Sequence, residues 1–536
     1  MRAIALILAA AAALTAQVRY EDIVKGPGVN WLTYMGDYGG QRHSPLTQIT
    51  PANVANMSPK WTYHVPGANH LEATPLVYDG VMYMTDANQI HAIDARSGRR
   101  IWVYRDGAVK RQSPNRGAAL LGNKVFFLTS DCHLVALDRR TGALLWSKEY
   151  ASLEKDGHFA TMAPLALKDR VIVGVGGGDG GIRGVVIALS AETGDELWRF
   201  WTVPAKGEPG SETWSEFPLE YGGGATWMNG TYDAQTNTVY WAAGNPWPDQ
   251  FGKPRRGDNL YTCSMLALDG ATGKLKWYFQ FTPHDTHDWD AQSIPVLVDL
   301  PWKGTTRKVL LHANRNGFFY LLDRVTGEFL SGTPFIDKLN WASGIDAKGR
   351  PIELPNIEPT PAGRYICPSL RGASNWMSPA FNPQTGLLYV PTLEQCDVYT
   401  VSETVPEPKK EIMGGGSEPH NGLPGKFYLR AIDPLTGKRK WEYPMTGGAE
   451  SWAGAVSTAG GVIFFGDDDG QMVAVDAKSG HHLWHYTMGQ NITASPIVFS
   501  VDGKQYVSIA AAADVYTFGL FEPAKPTPLV PTRTGN

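Results

Sequence analysis

Three aspartates fall within six residues in the segment "PHDTHDWDA": Asp285, Asp288 and Asp290. Carboxylates that close repel one another unless a cation or hydrogen-bond donors lie among them. The segment by itself is either a solvated acidic turn or an oxygen-rich site. Read as strand-like, with one residue between them, Asp288 and Asp290 leave on the same face. The cysteines offer less. Cys132 and Cys263 have no catalytic motif around them, so neither reads as a thiol nucleophile. No CxxCH haem-attachment motif occurs, and a redox enzyme built on this chain is expected to pass its electrons to a separate carrier.

The elements that must position such residues show up as an internal repeat. The pattern Ala-x-Asp-x-x-x-Gly-x-x-x-Trp is complete at Ala92–Trp102, Ala136–Trp146, Ala267–Trp277, Ala431–Trp441 and Ala474–Trp484. Ser190 replaces the Asp in the copy ending at Trp198, and a degenerate copy, Leu321–Asp323–Gly327, has Ser331 where Trp is expected. Each copy reads as a β-hairpin: an apolar strand, an Asp that bonds its own backbone, a Gly that supplies positive φ, and a strand carrying Trp. One hairpin cannot bury that ring, whereas stacked neighbours can. Seven hairpins therefore predict radial repetition, an all-β propeller. An eighth unit is expected from Trp61 paired with the last strands near Tyr506, joining the two ends of the chain. The expected organisation is an export signal over 1–16, an eight-bladed β-propeller with tryptophan-docking repeats over 17–521, and a Pro-rich tail over 522–536. Residues 397–428, rich in Pro and Gly, read as a surface insertion.

Composition agrees with a globular chain able to bury a large core, with 43% hydrophobic and 19% charged residues. Its 18 Trp and 59 Gly suit short strands and tight turns. A net charge of −4 points to no nucleic acid or anionic membrane as partner. Arg2 followed by the apolar run Ala3–Leu14 and small residues up to Ala16 reads as a secretory signal, too short to span a bilayer. No other stretch has the length to cross a membrane, so a periplasmic protein is expected.

Several stretches are more specific than the repeat. "GDYGGQRHSPLTQI" (36–49), "NRGAA" (115–119), "GGGATW" (222–227), "AGNP" (243–246), "RGDNLYT" (256–262), "TPHDTHDWD" (282–290), "NRNGFFYLLDR" (314–324) and "SNWMSPAFNPQTGLLYVPT" (374–392) follow in this order. In that order the chain, from about Trp31 to Phe518, resembles the methanol/ethanol dehydrogenases that depend on pyrroloquinoline quinone (PQQ). The resemblance implies that Asp288 is the catalytic base and a metal neighbour, and that Arg315 is the cation beside the reactive quinone oxygens. It implies a metal site of Asp179, Asn245, Asp288 and Asp290. Asp290 stands where lanthanide-using members carry Asp and calcium-using members a small residue; Asp179, in "GVGGGDGGIRG", stands where the family has Glu. All-oxygen donors suit calcium or a lanthanide rather than zinc or copper. Three carboxylates neutralise a trivalent ion and overcharge a divalent one, which favours a lanthanide over Ca2+.

The same match implies a PQQ site of Glu72, Arg116, Thr129, Thr161, Ala163, Trp227, Arg315, Asn375 and Trp452, with the flat cofactor stacked on Trp227. Two departures stand out. Lys110 and Arg111 occupy the positions of two adjacent Cys that form a disulfide in much of the family, and Met162 in "TMAP" replaces a small residue. Cys367 and Cys396 flank the "SNW" region where the family places a disulfide, so they are expected to pair. The implied reaction oxidises an alcohol to an aldehyde, with electrons leaving to a periplasmic cytochrome c-type acceptor; a homodimer is among the assemblies considered. The rivals are a PQQ enzyme acting on a sugar or aldehyde, and a non-catalytic propeller scaffold.

Overall fold

The computed structural model describes residues 17–402, 407–410, 412–423, 425–448 and 450–522. The export segment expected over 1–16, and the expected tail beyond Glu522, lie outside the described residues.

Among the described residues the strands form ten sheets, eight of them with four or five strands. The first of these shows the pattern: Leu76–Tyr78, Val81–Asp86, Gln89–Asp94 and Arg100–Arg105, each antiparallel to the next. Its first three strands are buried almost continuously, while the fourth is largely exposed. Strands buried on both faces must have neighbours on both faces, which is the arrangement of a β-propeller. The same meander recurs over 119–149, 165–201, 231–280 and 296–334, then over 380–444 around an insertion, and over 455–487. In the last sheet, Ile497–Val501, Lys504–Ala511 and Asp514–Leu520 are joined by Met57–His64, antiparallel to Asp514–Leu520.

Each letter of the repeat has a visible cause. In the first copy the Asp94 carboxylate accepts the backbone N–H groups of Arg96 (2.9 Å) and Ser97 (3.0 Å), forming the turn. Ser190 does the same with its hydroxyl toward Glu192 and Thr193, which is why that copy tolerates the replacement. The Ala stands directly across from the Trp: Ala92 opposite Trp102, Ala136 opposite Trp146, Ala267 opposite Trp277. In the degenerate copy the sizes are exchanged, with Leu321 opposite Ser331. The Gly serves the Trp of the preceding sheet. A Cβ at Gly98 would meet the Trp61 ring at 2.7 Å, one at Gly142 the Trp102 ring at 2.7 Å, and one at Gly480 the Trp441 ring at 2.5 Å. The indole N–H then donates to a backbone carbonyl in the same turn, as from Trp61 to Ala95 (3.1 Å), Trp102 to Arg139 (3.2 Å) and Trp441 to Ala477 (3.3 Å). The docking turns thus link one sheet to the next.

The insertion over 397–428 carries strands of its own. Asp397–Val401 and Gly415–Pro419 pair with each other, and the first also pairs with Arg364–Ile366. The Cys367–Cys396 disulfide forms, as the resemblance implied, joining the start of this small sheet to its middle strand.

Antiparallel order also decides where chemistry collects. The start of the first strand and the end of the second lie at one end of each sheet, whereas the Asp–Gly docking turn between the third and fourth lies at the other. The residues singled out above all sit at the first end. Glu72, Arg116, Trp227, Asn375 and Trp452 precede a first strand, and Asp179, Asn245 and Arg315 follow a second.

Candidate active site

Arg315 is the centre of the acidic group. Its guanidinium lies 3.1 Å from Asp288 Oδ2 and 3.2 Å from Asp290 Oδ2, and also donates to the Leu370 carbonyl. All three charged residues are buried. Burial opposes the charge on Arg315, but Asp288 and Asp290 outweigh it and raise its pKa. Asp288 is pushed well up by burial and by Asp290 and Asp179, with Arg315 pulling the other way. The segment is not a strand: it lies between Leu275–Gln280 and Val296–Trp302, and Asp288 takes a left-handed backbone with φ 61°. Asp288 and Asp290 still meet one guanidinium, through a tight turn in place of strand alternation. Asp285 folds that turn by accepting the N–H groups of His287 (3.2 Å) and Trp289 (2.9 Å); burial pushes its carboxyl up to about 6.

Asp179 sits on a single helical turn, Gly178–Gly180, between the left-handed Gly177 and Gly181. A Cβ at Gly178 would stand 3.3 Å from Asn245 Oδ1, so the amide oxygen of Asn245 lies against this turn. The Asn245 backbone N–H donates to Asp290 Oδ1 at 2.5 Å. One oxygen each from Asp179, Asp249 and Asp288 lie within 4.8 Å of one another. This oxygen-only donor set fits a hard cation.

Most of the expected cofactor residues form a connected chain to this group. Glu72 Oε2 is 2.5 Å from the Arg116 guanidinium, with His70 3.3 Å from Oε1. Arg116 lies over the rings of Trp227 (5.1 Å) and Trp376 (4.8 Å) and donates to the Thr161 carbonyl. The Thr161 hydroxyl donates to the Trp227 carbonyl (2.7 Å), and Trp227 Nε1 donates to Asp290 Oδ2 (2.7 Å). Ala163 lies in the apolar cluster with Trp376, against which Trp227 and Trp452 pack; Trp452 stacks parallel to Trp376 at 5.9 Å. Asn375 leads into Trp376 and is anchored by its amide to Arg371 and by its carbonyl to Ser293. Thr129 stands apart, its hydroxyl donating to Asp131 (2.7 Å) and accepting from the His133 N–H. An indole platform flanked by two buried arginines, each with an Nε that makes no hydrogen bond, fits a flat polyanionic cofactor.

Where the paired Cys would be expected, Lys110 reaches Asp131 Oδ2 (3.1 Å) and Arg111 lies 4.0 Å over the Phe159 ring. Cys132 and Cys263 are buried and free, and burial raises both thiols, in keeping with inert side chains.

Three participants were not foreseen. Asp249 lies four residues beyond Asn245 in "NPWPDQ"; an acid so near an amide donor was the available signal. Arg255 is fully buried and donates to the carbonyls of Pro248 (2.9 Å), Asp249 (2.9 Å) and Asp285 (2.6 Å), tying the Asp249 loop to the acidic turn. Trp376 forms part of the aromatic platform although only its neighbour Asn375 was singled out.

Fold and site together define a β-propeller with a cluster of buried acids, arginines and indoles at one end of its sheets. Comparison with known proteins gives the family. The PQQ-domain family described as "Glucose/ethanol/alcohol dehydrogenase, beta-propeller domain" matches residues 31–334 and 438–507. The chain is 36% identical to the quinoprotein alcohol dehydrogenase PedH of Pseudomonas putida, over 95% of this chain and 91% of that one. Among solved structures it is similar to the quinohemoprotein alcohol dehydrogenase of Comamonas testosteroni, with a TM-score of 0.89 at 34% identity over 96% of this chain and 85% of that one. It is also similar to a europium-containing methanol dehydrogenase, with a TM-score of 0.86 at 31% identity over 94% of this chain and 100% of that one. The chain belongs to the PQQ-dependent alcohol dehydrogenases. The scaffold reading is set aside.

Proposed function

We propose that this protein oxidises an alcohol to an aldehyde in the periplasm with PQQ and a lanthanide ion, Ca2+ being the second choice of metal, and passes the electrons to a cytochrome c-type acceptor. The observation that carries the reading is the single guanidinium of Arg315 held between Asp288 and Asp290. It supports the reading because a carboxylate suited to act as a base, a cation and further carboxylate oxygens lie within one ion-paired group. In this reading eight blades close the ring over 17–521 behind a signal of 16 residues.

When bound, the quinone supplies the two-electron acceptor and the metal supplies Lewis acidity. Asp179, Asn245, Asp288 and Asp290 are the residues assigned to hold the metal. Glu72, Arg116, Thr129, Thr161, Ala163, Trp227, Asn375 and Trp452 are those assigned to the quinone. Asp288 takes the alcohol's hydroxyl proton at its carboxylate, oriented by Arg315. Arg315 also stabilises negative charge developing on oxygen in the transition state. Trp227, fixed through its N–H to Asp290, would offer the flat face for the cofactor. The apolar cluster around Trp376 would keep water from that face.

Dye-linked alcohol oxidation by metal-stripped protein given PQQ with lanthanum or with calcium tests the reading. Turnover with lanthanum alone supports it, and turnover with calcium alone overturns the metal assignment. Turnover on glucose or an aldehyde in preference to primary alcohols overturns the substrate assignment.

A further inference from the structure

Nothing in the alcohol-oxidising reading gives Asp249 a task, yet its surroundings demand one. The residue is fully buried, and neither carboxylate oxygen has a hydrogen-bond partner. A buried carboxylate without donors costs several kcal/mol, so a fold that keeps one supplies its partner from elsewhere. The protein fixes the backbone at this point with care, through the Arg255 guanidinium on the Asp249 carbonyl, while leaving the side chain unmet. That side chain comes within 4.8 Å of ligand-competent oxygens of both Asp179 and Asp288.

We propose that Asp249 is itself a metal ligand, binding directly beside Asp179 and Asp288, and that it biases the centre toward a trivalent ion. The inference rests on the reading of this cluster as the metal centre. It explains how the site tolerates Asp179 where the resemblance places Glu: the shorter side chain gives up one methylene, ~1.5 Å of reach, and Asp249 supplies a donor from the facing loop. The charges agree. Asp179, Asp249, Asp285, Asp288 and Asp290 carry five negative charges and Arg255 and Arg315 two positive, a net of −3 that a trivalent cation neutralises and a divalent one does not.

The test titrates terbium(III) alone into metal-stripped, full-length protein, read by tryptophan-sensitised emission. Emission lifetimes in H2O and D2O count the bound waters. Asp249→Asn is expected to weaken terbium binding by roughly 30-fold, about 2 kcal/mol, and to add one bound water; Asp288→Asn is expected to weaken it as well. If Asp288→Asn weakens binding while Asp249→Asn changes neither affinity nor water count, the proposal falls and the metal centre stands. If wild type binds no terbium, or neither variant differs from it, both fall. Melting gives a second readout that does not depend on emission. Without metal, Asp249→Asn melts at or above wild type, because an uncompensated charge is gone; with saturating terbium the order reverses. The same order in both states overturns the proposal.

Discussion

Replacing Gly142 by Ala puts one methyl group where the docking of the second sheet on the first is tightest. The backbone there has φ 73°, and the added Cβ would stand 2.7 Å from the Trp102 ring. Left-handed backbone costs an L-residue about 1–2 kcal/mol. An intrusion of about 1 Å into a packed ring adds about 1–3 kcal/mol. Unfolding entropy near 2.1 cal/mol/K per residue gives about 1 kcal/mol/K for roughly 500 ordered residues, so the expected loss is about 2–5 °C in Tm. Gly503→Ala is the control: its φ is 75°, but nothing lies within 4 Å of the added atom, so only the backbone cost, about 1–2 °C, is expected. The two variants and Trp102→Leu, alone and combined with Gly142→Ala, are melted by differential scanning fluorimetry at one scan rate. In the Trp102→Leu background the cost of Gly142→Ala is expected to fall to that of the control. Equal losses for Gly142→Ala and Gly503→Ala, or no coupling between Gly142 and Trp102, would refute the docking account.

Three further outcomes are expected. Opening the Cys367–Cys396 disulfide, by paired Ser substitutions, releases a loop of 29 residues and costs about 3–4 kcal/mol, read as a lower Tm that reductant no longer changes. Because the Leu370 carbonyl that receives Arg315 lies in that loop, kcat is expected to fall as well. Trp227→Ala removes the ring together with the N–H that fixes it to Asp290; stacking on an aromatic face is worth about 1–3 kcal/mol, so PQQ affinity measured by absorbance titration should drop roughly 5- to 100-fold, and an unchanged affinity would remove Trp227 from the site. Asp37 gives a pH signature. Burial pushes its carboxyl from 3.8 up to about 6, so between those values the native chain holds a proton that the unfolded chain has lost. Stability therefore falls as pH rises through that window, by at most about 3 kcal/mol. Asp37→Asn should flatten that part of the Tm-versus-pH curve, and superimposable curves would count against the assignment.

The docking repeat was the most legible part of the sequence, because each letter answers to a local cause: Asp to its own turn, Ala to the Trp across the strand pair, Gly to the Trp of the neighbouring sheet. Even its exceptions keep that logic, as Ser190 and the exchanged Leu321–Ser331 pair show. That Asp288 and Asp290 share a face was expected from strand alternation; their meeting on Arg315 arises instead from a left-handed residue that strand reasoning does not contain. Asp249 and Arg255 were missed for a different reason. Their importance comes from burial and from approach across loops far apart in sequence, and neither has a periodic signature. Nor did the Pro- and Gly-rich composition of 397–428 disclose two paired strands, since Arg364–Ile366, with which the first of them pairs, lies outside it.

The sheet that takes one strand from near the start of the chain and three from near its end has a kinetic consequence. The docking contacts that Trp61, Trp102, Trp198, Trp277 and Trp441 make through their N–H groups close loops of 34 to 72 residues. Pairing Met57–His64 with Asp514–Leu520 closes one of 450. The extra loop entropy is about 2 kcal/mol, so this strand pairing is the last to form on folding and the first to open. Its opening leaves Trp61 docked on Gly98 through its own short loop but loosens the Thr493 hydroxyl from the Leu71 carbonyl, next to Glu72. Amide exchange should then be fastest along the seam beside Glu72, leaving the acidic cluster protected while the Glu72–Arg116 side of the site breathes.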